Sequence, residues 1–174
     1  MWTQDTTTDY RLEKVYPPLA ESWSLVAKDM WDQEQRQLRV TDGMRSFSAQ
    51  WDIWMKGRIK GPNGVWNIVD PAQVLTYATP GESWHNYGLA LDSCFLGDDP
   101  YLSKLEPTES ERLWNLYGKL CQDHGLIWGG SWKIPDRPHC ELPVGLSISG
   151  AQIEFENGGM PGLWKKCMTI KNSN

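Results

Sequence analysis

The segment Ser83-Trp-His-Asn-Tyr-Gly-Leu-Ala-Leu-Asp92 sets a histidine seven residues ahead of an aspartate, and Asp136-Arg-Pro-His-Cys-Glu141 sets another three residues after an acid. The chain has only three histidines. Imidazole nitrogens and carboxylate oxygens are donors that zinc accepts. A catalytic zinc keeps one position for water, so three protein ligands suffice. His85, Asp92 and His139 make such a set. His85 lies on a stretch punctuated by Gly88, which can aim its ring; Asp92 lies on the apolar run that follows; His139 must arrive by folding. A hydrolytic site also needs a base to take a proton from water. Asp136 can be that base, because Pro138 forces the residue before it out of the helical region. A short turn can then bring Asp136 and His139 to one side of a cleft. Glu141 shares a strand face with His139 but lies further along, and is the alternative base.

A plainer reading fits the same residues, since single histidines near acids are common in cores and on surfaces. His124 illustrates it: just before Gly125, at the end of a helical pattern, a cation suits the helix dipole and needs no further role. Two cysteines offer soft ligands instead. Cys140 adjoins His139 and should face the other side of a strand, whereas Cys94, two residues after Asp92, could share its face.

These residues need elements to hold them. Leu19, Trp23, Val26, Ala27 and Met30 repeat at helical spacing. Residues 37–43 read as a short strand ending in a turn at Asp42-Gly43. Ser46 can cap a second helix with the apolar face Phe47, Trp51, Trp54 and Met55. Residues 60–64 form a turn cluster and residues 74–78 a strand. Residues 89–97 make another strand, which carries Asp92 and leaves His85 on the loop before it. Thr108 and Glu111 form a capping box for a third helix, with Leu113, Leu116, Tyr117, Leu120 and Cys121 as its buried face and Gly125 as its stop. Residues 126–130 and 139–142 complete the strands. Helices and strands mix without a βαβ rhythm. That predicts an α+β fold, a small mainly antiparallel sheet with helices packed on it and the zinc site in a cleft. One catalytic domain is expected over residues 1–174, with 1–15 as an N-terminal arm and 145–174 as a short C-terminal helix and tail.

Bulk properties narrow the function. A length of 174 residues suits one domain, and 40% apolar with 22% charged residues is a globular composition. A net charge of −5 argues against nucleic acid as the partner. No run approaches the roughly 18 apolar residues of a membrane span. The polar, acidic start reads as no signal peptide, so another export route is expected. The four cysteines form no CxxC pair and read as reduced thiols. Several of the eleven tryptophans lie beside the polar motifs, as in a cleft wall.

SWHNYGLALD resembles the SxHxxGxAxD signature of the zinc peptidases related to D-Ala-D-Ala carboxypeptidases and dipeptidases. DRPHCE resembles their second signature. The spacing, with WGGSW ahead of the second motif, is most similar to the phage endolysin branch, the L-alanyl-D-glutamate endopeptidases. VTDGMRSFSAQ resembles that family's segment with a substrate-binding arginine, here Arg45. The resemblance runs from about Leu19 to Leu142. It implies zinc on His85, Asp92 and His139, Asp136 as general base, and Ser83 and Arg45 holding the peptide. It implies hydrolysis of the L-Ala–D-Glu bond in the stem peptide of bacterial peptidoglycan, for host-cell lysis. The enzyme would be a monomer, made in the host cytoplasm and acting on the cell wall, in the periplasm, after release. One alternative is a D-Ala-D-Ala carboxypeptidase or dipeptidase using the same site in another register. Another is a non-catalytic zinc-binding domain, against which Asp136 argues, because a structural metal needs no base. Cys94, Cys140 and the last thirty residues depart from the family pattern.

Overall fold

In chain order the elements are α1 (Thr6–Leu12), α2 (Pro17–Glu34), β1 (Leu38–Asp42), α3 (Phe47–Trp54), β2 (Arg58–Lys60), β3 (Trp66–Ile68), β4 (Ala90–Phe95), α4 (Pro107–Asp123), β5 (Ile127–Trp128), β6 (His139–Glu141) and α5 (Ile148–Lys171). They come from a computed structural model that describes residues 3–171. Four strands form an antiparallel sheet in the order β1-β4-β6-β5, and β2 and β3 form a separate hairpin. The α+β expectation holds.

Strand alternation decides which side chains meet the core. Leu91, Phe95 and Cys140 face α2 and α4 and join Leu19, Trp23, Leu113 and Tyr117 in the main core. Ser93 faces the same way, its hydroxyl accepting from the Trp23 indole at 2.8 Å. With a side-chain period of two, Asp92, His139 and Glu141 must turn to the opposite face. In the sheet register Asp92 lies opposite Asp42 on one side and His139 on the other. The pairing itself thus brings two of the expected ligands together.

Several local expectations are corrected. Helix α4 does not use the Thr108–Glu111 box; Glu106 is its N-cap and Pro107 its first residue, where a missing N–H goes unneeded. Residues 74–78 form no strand, because Pro71 opens a 3-10 turn and the pairing partners lie earlier, across the Gly61–Gly64 turn. The arm over residues 1–15 contains α1, whose Thr8 and Leu12 are buried against β1. Asp5 caps that helix and pairs with Arg39 at 3.1 Å. The C-terminal region is longer than a short helix: α5 is two helical runs meeting at Gly159, ahead of Pro161, and residues 172–174 lie outside the described residues. Ala151, Leu163 and Cys167 of α5 pack on Tyr16, Tyr87 and Leu89 in a second core. Only Gln50 of α3 is fully buried, so its predicted apolar face is not a core face. All four cysteines are free and buried.

Candidate metal centre

His85 sits in a 3-10 turn, Trp84–Tyr87, which Gly88 ends in the left-handed region at φ 65°. A Cβ at Gly88 would stand 3.3 Å from the Val15 Cα and 3.1 Å from the Trp164 ring, so the signature glycine is demanded twice. The His85 ring is buried, with Nδ1 2.8 Å from the Gly43 carbonyl. A carbonyl only accepts, so Nδ1 carries the proton and Nε2 keeps its lone pair for the site. The Arg45 N–H bonds to the His85 carbonyl at 2.9 Å, and the Asn86 amide donates to the Arg45 carbonyl at 3.0 Å. These bonds fasten the segment after β1 to the histidine turn.

Three donor atoms converge. His85 Nε2 lies 3.3 Å from Asp92 Oδ1 and 3.2 Å from His139 Nδ1, and His139 Nδ1 lies 3.1 Å from Asp92 Oδ1. His85, Asp92 and His139 each offer one atom within 4.8 Å of the others. The far nitrogen of His139 faces Glu141 Oε2 at 3.2 Å. A carbonyl and a carboxylate therefore occupy the outward nitrogens of both imidazoles, the usual way a metal-ligating histidine is oriented. Sequence reading missed the Gly43 contact and saw Glu141 only as a spare base. The strand spacing of Glu141 and His139 was the available signal.

The electrostatics suit a cation. Burial works against ionisation of Asp92, but hydrogen bonds and charge from His139 and His85 outweigh it and hold its carboxyl well below the usual range. Burial likewise opposes charge on His139, yet Asp92 and Glu141 push its pKa up to about 10. Both shifts favour positive charge at this point of the cavity. Two imidazoles with fixed tautomers and one ionised carboxylate fit zinc.

Asp136 lies in a tight turn, its carbonyl accepting from the His139 N–H at 3.2 Å and its own N–H bonding to the Gly129 carbonyl at 2.9 Å. A Cβ at Gly129 would come within 2.7 Å of the Asp136 carbonyl, so the first glycine of WGGSW permits this approach. Burial first, and then the charge of Asp92, raise the Asp136 pKa above that of an ordinary aspartate. Asp136, Arg45 and Ser83 line one cavity of about 620 Å³ with the three donors, Trp132 and Glu141. Ser83 precedes the histidine turn without capping it through its side chain.

The Arg45 guanidinium, implied to hold the peptide, is engaged within the protein. Its Nε donates to Asp42 Oδ2 at 2.8 Å, Nη2 meets the same oxygen, and Nη1 donates to Gln50 at 2.9 Å. Nη2 also stands 3.5 Å from Asp92 Oδ2, the oxygen turned away from the histidines. Cys140 lies in the main core, and neither it nor Cys94 joins the donor group. His124 pairs with Asp29 at 2.8 Å, tying α4 to α2.

Residues 76–142, which hold Ser83, His85, Asp92, Asp136 and His139, match the family described as D-alanyl-D-alanine carboxypeptidase, in line with the resemblance read from the motifs. Among particular relatives, the chain is 32% identical over 108 residues to the peptidoglycan L-alanyl-D-glutamate endopeptidase CwlK of Bacillus subtilis (strain 168). That match covers 59% of this chain and 59% of the relative, so the chain spans about three-fifths of its length. The fold is also that of the L-Ala D-Glu endopeptidase ChiX of Serratia marcescens, with a TM-score of 0.50 and 20% identity over 80% of this chain and 89% of ChiX. The LD-carboxypeptidase LdcB gives a TM-score of 0.51 and 17% identity over 83% of this chain and 71% of LdcB. Among the described residues no helix is long and apolar enough to cross a membrane.

Proposed function

We propose that this chain is a zinc peptidase that hydrolyses the L-Ala–D-Glu bond of the peptidoglycan stem peptide, and that it serves host-cell lysis as a phage enzyme. The observation that carries the chemistry is the convergence of His85 Nε2, Asp92 Oδ1 and His139 Nδ1 on one point of a cavity that Asp136 also lines. The scissile bond is supported by the 32% identity to CwlK, named for that activity. The phage role rests on the endolysin-like motifs.

His85, Asp92 and His139 would hold the metal. Zinc supplies Lewis acidity, which lowers the pKa of water toward neutrality and polarises a carbonyl. Asp136 takes the proton of the attacking water and passes it to the leaving amine; its raised pKa makes it a stronger base than an exposed aspartate. Arg45, held by Asp42 and Gln50, steadies the outer oxygen of Asp92 and presents positive charge to a substrate carboxylate. Ser83 lines the same wall as a hydrogen-bonding group for the peptide.

Mass spectrometry of digested peptidoglycan tests this reading. New L-Ala carboxyl ends and D-Glu amino ends are expected. Free D-Ala or the D-Ala-D-Ala dipeptide as the main product would replace the endopeptidase with a carboxypeptidase or dipeptidase register. Binding of zinc and peptidoglycan without any cleavage would leave a non-catalytic domain.

A further inference from the structure

Between α3 and β4 the chain builds a lobe that belongs to neither core. Trp51, Trp54 and Trp66 pack on one another, Trp51 stacked on Trp54 with ring centroids 5.1 Å apart and Trp66 edge-on to both at 5.5 and 5.6 Å. None of them belongs to either core cluster. Around them Tyr77 is 70% exposed, Leu75 66% and Ile59 60%. Exposed aromatic and aliphatic side chains gathered on one lobe suit an interaction site. The lobe is also stiffened. Arg58 donates to the Trp54 and Thr76 carbonyls while its guanidinium lies over the Trp54 and Tyr77 rings, at 4.6 and 5.7 Å. Those bonds engage its charge and hold aromatic faces in place.

The lobe is continuous with the candidate active site, since Ile53, Leu75, Thr76 and Ala78 line the same cavity as the donor set. This juxtaposition bears on the substrate, and the argument from here rests on the peptidoglycan reading above. A stem peptide hangs from its glycan strand through its first residue, L-Ala. A bond cut after that residue lies within about 7 Å of the sugar, two extended residue lengths. The glycan must therefore run along the rim of the cavity. The exposed cations Lys133 and Arg137 adjoin the lining residues Trp132 and Asp136 in sequence; their charge suits the carboxylates further along the stem. The aromatic lobe also borders the cavity, and there Asp52, Lys56, Arg58, Lys60 and Asp70 nearly cancel. An uncharged amino sugar has apolar ring faces that stack on aromatic side chains, and it matches this lobe.

We propose that the exposed face of this lobe, with Tyr77 and Trp51 foremost, binds the glycan strand to which the stem peptide is attached. Tyr77 is the residue to change, because it is exposed and lies outside the cavity wall. Two measurements on the full chain test the idea. The first is co-sedimentation with glycan strands freed of their stem peptides by an amidase. The second is turnover of intact sacculi against turnover of soluble, sugar-free stem peptide. Wild-type protein should bind the bare glycan. Tyr77→Ala should weaken that binding and slow sacculus digestion by about three- to tenfold, the size of one aromatic contact. Its turnover of free stem peptide should stay at the wild-type rate, which shows that the fold is intact. Trp51→Ala should show the same split. Equal losses on both substrates, no wild-type binding to bare glycan, or binding to lipid vesicles in its place would overturn the proposal. Glycan binding by a wild-type protein that cuts no stem peptide would sustain the surface and sink the peptidase reading. Cleavage without glycan binding would do the reverse.

Discussion

The contact between Glu141 and His139 gives a quantitative test of the metal site. Glu141→Ala removes the carboxylate that faces His139 Nε2 at 3.2 Å. With that acceptor gone, nothing favours the tautomer that leaves Nδ1 free, and the ring can turn from the donor set. Partners of this type are worth about 10–100-fold in metal affinity, or about 1.4–2.7 kcal/mol. The Glu141 side chain is 15% exposed, so water can enter the gap and accept part of the bond. The lower part of the range, roughly 10–30-fold, is therefore the expectation. Zinc dissociation constants from competition with a chromogenic chelator would measure it. Glu141→Gln keeps an oxygen acceptor in place and should retain most of the affinity. Thermal unfolding separates this role from a structural one: the metal-free variant loses only the ion pair with His139, and its gap to wild type should widen on adding zinc. An unchanged zinc affinity in Glu141→Ala would refute the reasoning.

Asp136→Asn should keep zinc and fold while hydrolysis falls by about 10²–10⁴-fold, the span of general-base catalysis; loss of zinc by metal analysis would make Asp136 a ligand. Arg45→Lys should lower turnover with zinc content unchanged, because an ammonium cannot meet Asp42, Gln50 and Asp92 together as the planar guanidinium does; wild-type turnover would remove Arg45 from the site. Acid should loosen α1. Burial favours the neutral form of Asp5, but hydrogen bonds from Thr8 and the charge of Arg39 hold its folded pKa below the ordinary value. A depressed folded pKa stabilises above the unfolded value, about 3.9, and that stability is lost as pH falls through the folded one. Urea unfolding should show Asp5→Asn less stable than wild type at neutral pH, with the gap closing on acidification; a gap independent of pH would assign the loss to the helix cap alone.

The residue types of the donor set were legible because zinc chemistry admits few side chains and His85, Asp92 and His139 stand in recognisable spacings. Their strand and loop settings were legible too, since a period of two places Asp92 and Glu141 once the strands are known. Local pattern misled where tertiary context outweighed it. The Thr108–Glu111 box looked right, yet Pro107 begins the helix a turn position earlier. The apolar residues of α3 read as one core face, yet Trp51 and Trp54 lie in a lobe outside both cores while Phe47 alone packs on Tyr87 and Phe155. The amino-acid sequence by itself thus determined which atoms could bind a metal and which elements carry them. The tertiary structure alone decided that Gly43 and Glu141 face the outward nitrogens of His85 and His139, that Asp42 engages the Arg45 guanidinium, and that an aromatic lobe borders the cavity. Hydrogen bonds such as His85 to Gly43 span dozens of residues, and their existence depends on sheet register and loop path, which no local periodicity encodes.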